Sequence, residues 1–229
     1  QKLSNIEVSE ICNHLGEVSP KSIKRVYGGD IHQSWQIEFE DCRLFVKRNE
    51  RQERMLKFEE SCLNNLQKYI NCENLVIPKI ISYMEVNNVE ILLMEWIDMP
   101  NSDQRKLGKG LAELHITSNK FNPQMFGYPI QGFIGTTQQK KGWESDWAEC
   151  FINLRIGPQL EILNNDFINI DIKNKIKLKI HSELIDHKPM ISLIHGDLWS
   201  GNIGINQLNQ GVIFDPACWW ADNEVDIAM

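Results

Sequence analysis

Apolar residues recur along this chain in two periods, and the switches between them outline a fold. Over residues 4–16 they fall at Val8, Ile11, Cys12 and Leu15, the i, i+3, i+4, i+7 stripe of an amphipathic helix. Ser4 and Glu7 supply the S-x-x-E box that caps such a helix. Residues 22–27, 34–40 and 43–48 then read as strands, with Gly28-Gly29-Asp30 joining the first two. Residues 51–69 return to the helical period, with Leu56, Leu63 and Leu66 among the apolar positions. Residues 77–86 and 89–97 read as two strands joined by the turn pair Asn87-Asn88. The order so far is helix, three strands, helix, two strands.

After Pro100 the texture changes. Residues 101–119 read as a helix through Leu107, Leu111 and Leu114. Residues 122–142 read as a long loop, and helices follow at about 143–164 and 170–186. One apolar run, 191–194, then leads into His195-Gly196-Asp197, and a second, 212–214, leads into Asp215. A β-rich first part and a helical second part predict an α+β fold of two lobes, 1–96 and 97–229. The last residues, Val225 to Met229, read as the opening of a helix, so the protein is expected to continue past them.

Charge narrows the partners. A net charge of −7 and a pI of about 5.4 argue against a nucleic-acid partner, which calls for a basic face. The six cysteines form no C-x-x-C pair and have no clustered histidines, which argues against zinc. Scattered reduced thiols fit the cytoplasm. No apolar run approaches the roughly 20 residues of a membrane span, and no signal peptide opens the chain.

The chemistry lies in a spacing. Asn202 stands five residues past Asp197, and Asp215 thirteen past Asn202. The protein-kinase catalytic loop shows the same H-x-D-x-x-x-x-N spacing, with a metal-binding Asp on the following hairpin. Asp197 is the candidate base for an acceptor hydroxyl. Asn202 and Asp215 are candidate ligands for Mg²⁺, a hard cation that prefers oxygen. Lys47 ends an alternating strand and can aim its ammonium at a phosphate. An isolated lysine is ordinarily a surface residue, but here a Gly-Gly turn precedes it and an acid-bearing helix follows. Glu59 or Glu60 would hold it in place, and the spacing does not choose between them. The Gly28-Gly29 amides suit phosphate oxygens, and the backbone of Glu95, Trp96 and Ile97 suits an adenine.

Several neighbours invite two readings. Trp199 and Trp219 offer rings for a sugar face, although a buried core Trp is as common. Asp222 and Glu224 are candidates for a cationic substrate or simply solvated acids. Asp226 is expected to brace the catalytic loop from below. His195 is expected to support that loop, and His115 to be a packed or capping residue.

The block from His195 to Asn202, with Leu198-Trp199-Ser200-Gly201 as its filling, resembles the fructosamine kinases, or ketosamine-3-kinases. So do Phe214 to Ala217, Glu224 to Met229, Gly28 to Ile31, Phe45 to Lys47, Phe133 to Thr136, Gly142-Trp143, Asp146-Trp147 and Arg155 to Leu160. The resemblance covers nearly the whole chain. It implies a bilobal protein-kinase-like fold, shared with aminoglycoside and choline kinases, with an N-terminal antiparallel β lobe and a mainly helical C-terminal lobe. It implies ATP and Mg²⁺ as cofactors. The acceptor would be the sugar 3-hydroxyl of a ketosamine: a fructosamine, ribulosamine or erythrulosamine adduct of a small amine or a glycated protein lysine. The role implied is deglycation repair. Lys47 would contact ATP phosphates, and alignment on Leu63 favours Glu59 as its partner. Two positions depart from the family: no Cys occupies the glycine-rich loop, and Ala221 replaces a usual Gly. The alternatives are a kinase for another hydroxylated amine, such as an aminoglycoside or choline, and a pseudokinase acting as a binding module. A pseudokinase would be expected to lose Lys47, Asp197, Asn202 or Asp215, and none is lost.

Overall fold

A computed structural model describes residues 2–27, 31–50, 53–71, 73–121, 123–163 and 168–229. The first helix, α1 (Asn5–Leu15), starts on the reciprocal cap expected of Ser4 and Glu7. Glu7 N–H donates to Ser4 Oγ at 3.3 Å, and Ser4 N–H donates to Glu7 Oε2 at 2.7 Å. Next come β1 (Ser22–Val26), β2 (Gln33–Glu38), β3 (Arg43–Asn49), α2 (Met55–Gln67), β4 (Leu75–Val76), β5 (Ile80–Val86) and β6 (Val89–Glu95). Strands β1-β2-β3-β6-β5, in that order, make one antiparallel sheet. Asn87 and Asn88, with φ of 51° and 63°, turn β5 into β6, as a two-residue hairpin with both central residues left-handed requires.

Alternation sorts this sheet into two faces. Leu44, Val46, Ile91 and Leu93 pack with Trp35 and Ile37 against Ile11 and Cys12 of α1. Leu92 and Met94 point the other way, into the core that holds Leu56, Leu63 and Leu66 of α2. Lys47 lies on the α2 side, one residue past Val46. The helical pattern predicts a start near residue 51, but α2 begins at Met55, and its N-cap residue Arg54 makes no side-chain cap. Glu90 on β6 caps it from a distance, accepting from Lys57 N–H at 3.0 Å and Leu56 N–H at 3.4 Å.

The second part runs α3 (Arg105–Asn119), β7 (Phe126–Tyr128), β8 (Gly132–Ile134), β9 (Thr137–Gln139), β10 (Gly142–Glu144) and α4 (Trp147–Phe151). A π-helical turn (Ile152–Ile156) leads to α5 (Gly157–Ile162) and α6 (Ile170–Leu184). The chain then forms β11 (Ile191–Ile194), β12 (Ile203–Ile205), β13 (Gly211–Ile213), β14 (Trp219–Asp222) and α7 (Glu224–Ile227). The expected loop at 122–142 therefore carries three short strands, and the helix expected from 143 starts after β10. Three-residue strands are too short to show a period. Strands β10-β7-β14-β11 form a second sheet with β11 at its edge. The hairpin β12-β13 joins β4 in parallel. The architecture is α+β, as expected. Among the described residues no helix is long and apolar enough to cross a membrane.

Candidate active site

The sheet alternation turns Lys47 toward α2, where Glu59 meets it. Lys47 Nζ donates to both Glu59 oxygens at 2.8 Å. It also donates to Asp215 Oδ1, 168 residues away in sequence. Glu60 instead pairs with Lys57 at 2.5 Å, so the geometry selects Glu59 where the spacing did not. Burial works against the Lys47 charge, yet Asp215 and Glu59 outweigh it and its pKa rises. Burial likewise resists ionisation of Asp215, and Lys47 outweighs it, so that pKa falls. Burial pushes Glu59 above the ordinary glutamate range. Asp215 has a φ of 57°, a left-handed conformation that Asp tolerates better than most residues.

Strand β11 delivers His195-Gly196-Asp197 into a fully tied loop. Gly196 has a φ of 80°, and a Cβ there would come within 2.3 Å of the Ala217 carbonyl oxygen. Asp226 accepts from His195 N–H and Gly196 N–H, each at 2.8 Å. His115 Nε2 lies 3.0 Å from the same carboxylate. His195 Nε2 donates to Phe214 O at 2.9 Å, and its Nδ1 accepts from Asp197 N–H at 3.3 Å. Burial lowers the His195 pKa. His195 and Asp226 thus support the loop as expected, and His115 packs against it.

Asn202 Nδ2 donates to Asp197 O at 2.8 Å and to Asp197 Oδ2 at 3.1 Å. Burial raises the Asp197 pKa, and the Asp215 charge adds to the effect against His195 and Asn202. Asp197 Oδ1 has no partner among the described residues and faces no competitor for an incoming hydroxyl.

A cleft of about 280 Å³ opens beside Asp215, walled by Val26, Phe45, Met94, Ile97, Val212 and Phe214. Such a slot suits a flat aromatic ring with few polar edges. Of the three backbone segments expected to meet a base, two have spent their donors. Glu95 N–H donates to Lys79 O at 3.0 Å, and Trp96 N–H to Arg43 O at 3.1 Å. The Trp96 indole is held by Asp98 at 2.8 Å. Among the described residues Ile97 N–H has no acceptor, so the donor role falls to Ile97 alone.

Other candidates need correction. Gly28 and Gly29 lie outside the described residues. Trp199 is 47% exposed, and its ring covers Gly201, where a Cβ would come within 2.3 Å of it. Trp219 is only 3% exposed. It stacks on Trp147 at 5.7 Å and under the Arg155 guanidinium at 3.8 Å, so neither face is free for a sugar. Asp222 is 5% exposed and bonded to His187 at 2.7 Å. It pairs with Ile191 at the start of β11, four residues or about 13 Å of strand before His195. Glu224 gathers there too, its ligand atom within 4.8 Å of those of Asp222 and His187. Asp222 is thus spent on His187, and Glu224 stands beside that pair. The sequence reading missed the His115–Asp226 pair and the Glu90 cap, which join residues 111 and more than 30 positions apart and leave no local signal.

A family model described as fructosamine kinase matches residues 5–229. A probable ketoamine kinase of Klebsiella aerogenes is 33% identical over 205 residues, covering 88% of this chain and 70% of that protein. A probable ketoamine kinase of Escherichia coli K12 is 31% identical, covering 96% of this chain and 76% of that protein. A crystal structure of a candidate fructosamine-3-kinase from Haemophilus somnus superposes with a TM-score of 0.83 at 26% identity, over 96% of this chain and 74% of that one. Aminoglycoside phosphotransferase APH(4)-Ia, in a ternary complex with AMP-PNP and hygromycin B, superposes at 0.69 with 10% identity, over 98% of this chain and 75% of that one. That last likeness is one of fold.

Proposed function

The chain belongs to the fructosamine kinase family, and on that premise we propose that it is an ATP-dependent kinase for the sugar 3-hydroxyl of a ketosamine. The observation that carries this reading is the contact of one buried ammonium, Lys47, with Glu59 and Asp215, beside the Asp197–Asn202 pair. Residues 1–96 would then bind the nucleotide, and residues 97–229 the acceptor. The cleft along Phe45, Met94 and Phe214 would take the adenine, with Ile97 N–H as its donor. Lys47, held by Glu59, would reach the phosphates. Asp215 and Asn202 Oδ1, which has no partner among the described residues, form an oxygen donor set that fits Mg²⁺. When bound, that ion neutralises phosphate charge. Asp197 would accept the proton of the attacking hydroxyl through its unpartnered oxygen. Trp199 is the aromatic face left for the sugar.

Enolisation of the ketone toward carbon 1 lets the carbon-3 phosphate leave by elimination, and water then hydrolyses the resulting imine at carbon 1, freeing the amine and leaving a 3-deoxy dicarbonyl sugar. Deglycation of small amines or of glycated protein lysine is the role this assigns. We place it in the cytoplasm, where Cys12, Cys42, Cys62, Cys150 and Cys218 stay free thiols.

The test is ATP and Mg²⁺ turnover on lysine-derived erythrulosamine, ribulosamine and fructosamine, with choline and an aminoglycoside as controls. Phosphorylation of a ketosamine at carbon 3 is the expected result. Turnover confined to choline or the aminoglycoside would replace the acceptor. Absence of any turnover, with ATP still bound, would point to a binding module.

A further inference from the structure

Tyr128 is a buried phenol that the catalytic contacts leave out. It belongs to β7, inside the second sheet, and only 4% of it is exposed. Its ring lies edge-on to Phe58 of α2, with centroids 6.0 Å apart. Its hydroxyl gathers three partners. Asn65 Nδ2 donates to it at 2.6 Å and the Cys218 thiol at 3.3 Å. Lys68 Nζ donates to Asn65 Oδ1 at 2.9 Å, which fixes that amide with its N–H₂ toward the phenol. Having accepted twice, the phenol has its own proton left for Ser61 Oγ at 3.3 Å. Burial pushes its pKa up, so it stays protonated. A second contact runs alongside: Cys218 N–H donates to Cys62 Sγ at 3.3 Å.

These contacts join two segments that each carry one partner of Lys47. Ser61, Cys62 and Asn65 lie on α2, two, three and six residues past Glu59. Cys218 lies three residues past Asp215. Glu59 and Asp215 both accept from the Lys47 ammonium, which a third element, β3, supplies. The phenol therefore sets how far α2 stands from the segment that carries Asp215. Without its oxygen, Asn65 Nδ2, Ser61 Oγ and Cys218 Sγ lose a shared partner inside the protein. That loss favours any shift of α2 that returns them to water, and such a shift takes Glu59 off Lys47.

We infer that Tyr128 is a positioning residue: it holds α2 so that Glu59 keeps Lys47 aimed at the nucleotide phosphates. The inference rests on the nucleotide half of the kinase reading above and on none of its acceptor chemistry.

The experiment measures the affinity of the full chain for Mg²⁺·ATP by titration calorimetry, with no acceptor present. Wild type, Tyr128→Phe, Glu59→Gln and the double variant are compared. Phenylalanine keeps the ring against Phe58 and removes one oxygen. Tyr128→Phe should raise Kd by roughly 3- to 10-fold, the worth of one hydrogen bond. Because it acts through Glu59, adding it to Glu59→Gln should change Kd by less than about twofold. An equal fold rise in both backgrounds would make Tyr128 a merely structural residue and overturn the inference, as would an unchanged Kd in Tyr128→Phe. Should Tyr128→Phe fail to fold, Asn65→Ala, which cuts the same contact from α2, runs the same cycle. Intact ATP affinity and coupling, without turnover of any ketosamine, would overturn the acceptor reading and leave this inference standing. No ATP binding by the wild type would overturn both.

Discussion

Asp226→Asn removes the charge that fastens the catalytic loop. The carboxylate is fully buried and accepts two loop N–H bonds at 2.8 Å, with a third contact to His115 at 3.0 Å. Asparagine keeps one acceptor oxygen but turns an N–H₂ donor toward the remaining donors. Each hydrogen bond to a charged group contributes about 1.5–3 kcal/mol; an Asn oxygen in the Oδ2 position keeps His195 N–H and His115 but sets Nδ2 against Gly196 N–H, so losing that bond and the charge on the other two costs about 3 kcal/mol or more. A whole domain is held by only about 5–15 kcal/mol. At roughly 2–4 °C per kcal/mol for a chain of this size, melting should fall by about 6 °C or more. Thermal denaturation followed by circular dichroism reads that shift. Turnover should fall with it, because Asp197 leaves its position, while ATP affinity changes little because Lys47 and the cleft do not depend on Asp226. A melting point within about 2 °C of wild type would refute the view that this carboxylate holds the loop.

Asp197→Asn should lower turnover by about 10²- to 10⁴-fold, the usual contribution of a general base, with ATP affinity retained; comparable turnover would remove it from that role. Lys47→Met should cut kcat/KM for ATP at least about tenfold, since one charged contact is worth about that much; an unchanged value would exclude Lys47 from the phosphate site. Glu59→Gln should also impair ATP use, while Glu60→Gln, whose partner is Lys57, should not; equal effects would show that the Lys47 pairing is not what matters. Burial depresses the His195 pKa below its ordinary 6.5. Below that pH the unfolded chain binds a proton that the native residue refuses, so stability is lost as pH falls from about 6.5 toward the native value. The slope is at most about 1.4 kcal/mol per pH unit for one proton. Chemical denaturation at pH 7.5, 6.5 and 5.5 should show a flatter profile for His195→Gln, and parallel profiles would contradict this.

What could be read from the sequence was what neighbours along the chain determine. The Ser4–Glu7 cap, the Asn87-Asn88 turn and the alternation through β3 and β6 each depend on residues within one element. The spacing from Asp197 through Asn202 to Asp215 was equally legible, because one loop and one hairpin carry it. What escaped depends on partners brought in by tertiary packing. Glu59 and Glu60 differ by one helical step of about 100°, and only the position of β3 decides which one faces Lys47. The start of α2 could not be placed because its cap comes from Glu90, more than 30 residues on. Glu95 and Trp96 looked as suitable as Ile97 until Lys79 and Arg43 took their N–H groups. Trp219 shows the same dependence most sharply. Its neighbour in the catalytic block, Trp199, keeps an open face, while Trp147 and Arg155 close both faces of Trp219. An indole's role is set by what covers its faces, and those covers come from the α4 region, far upstream in sequence.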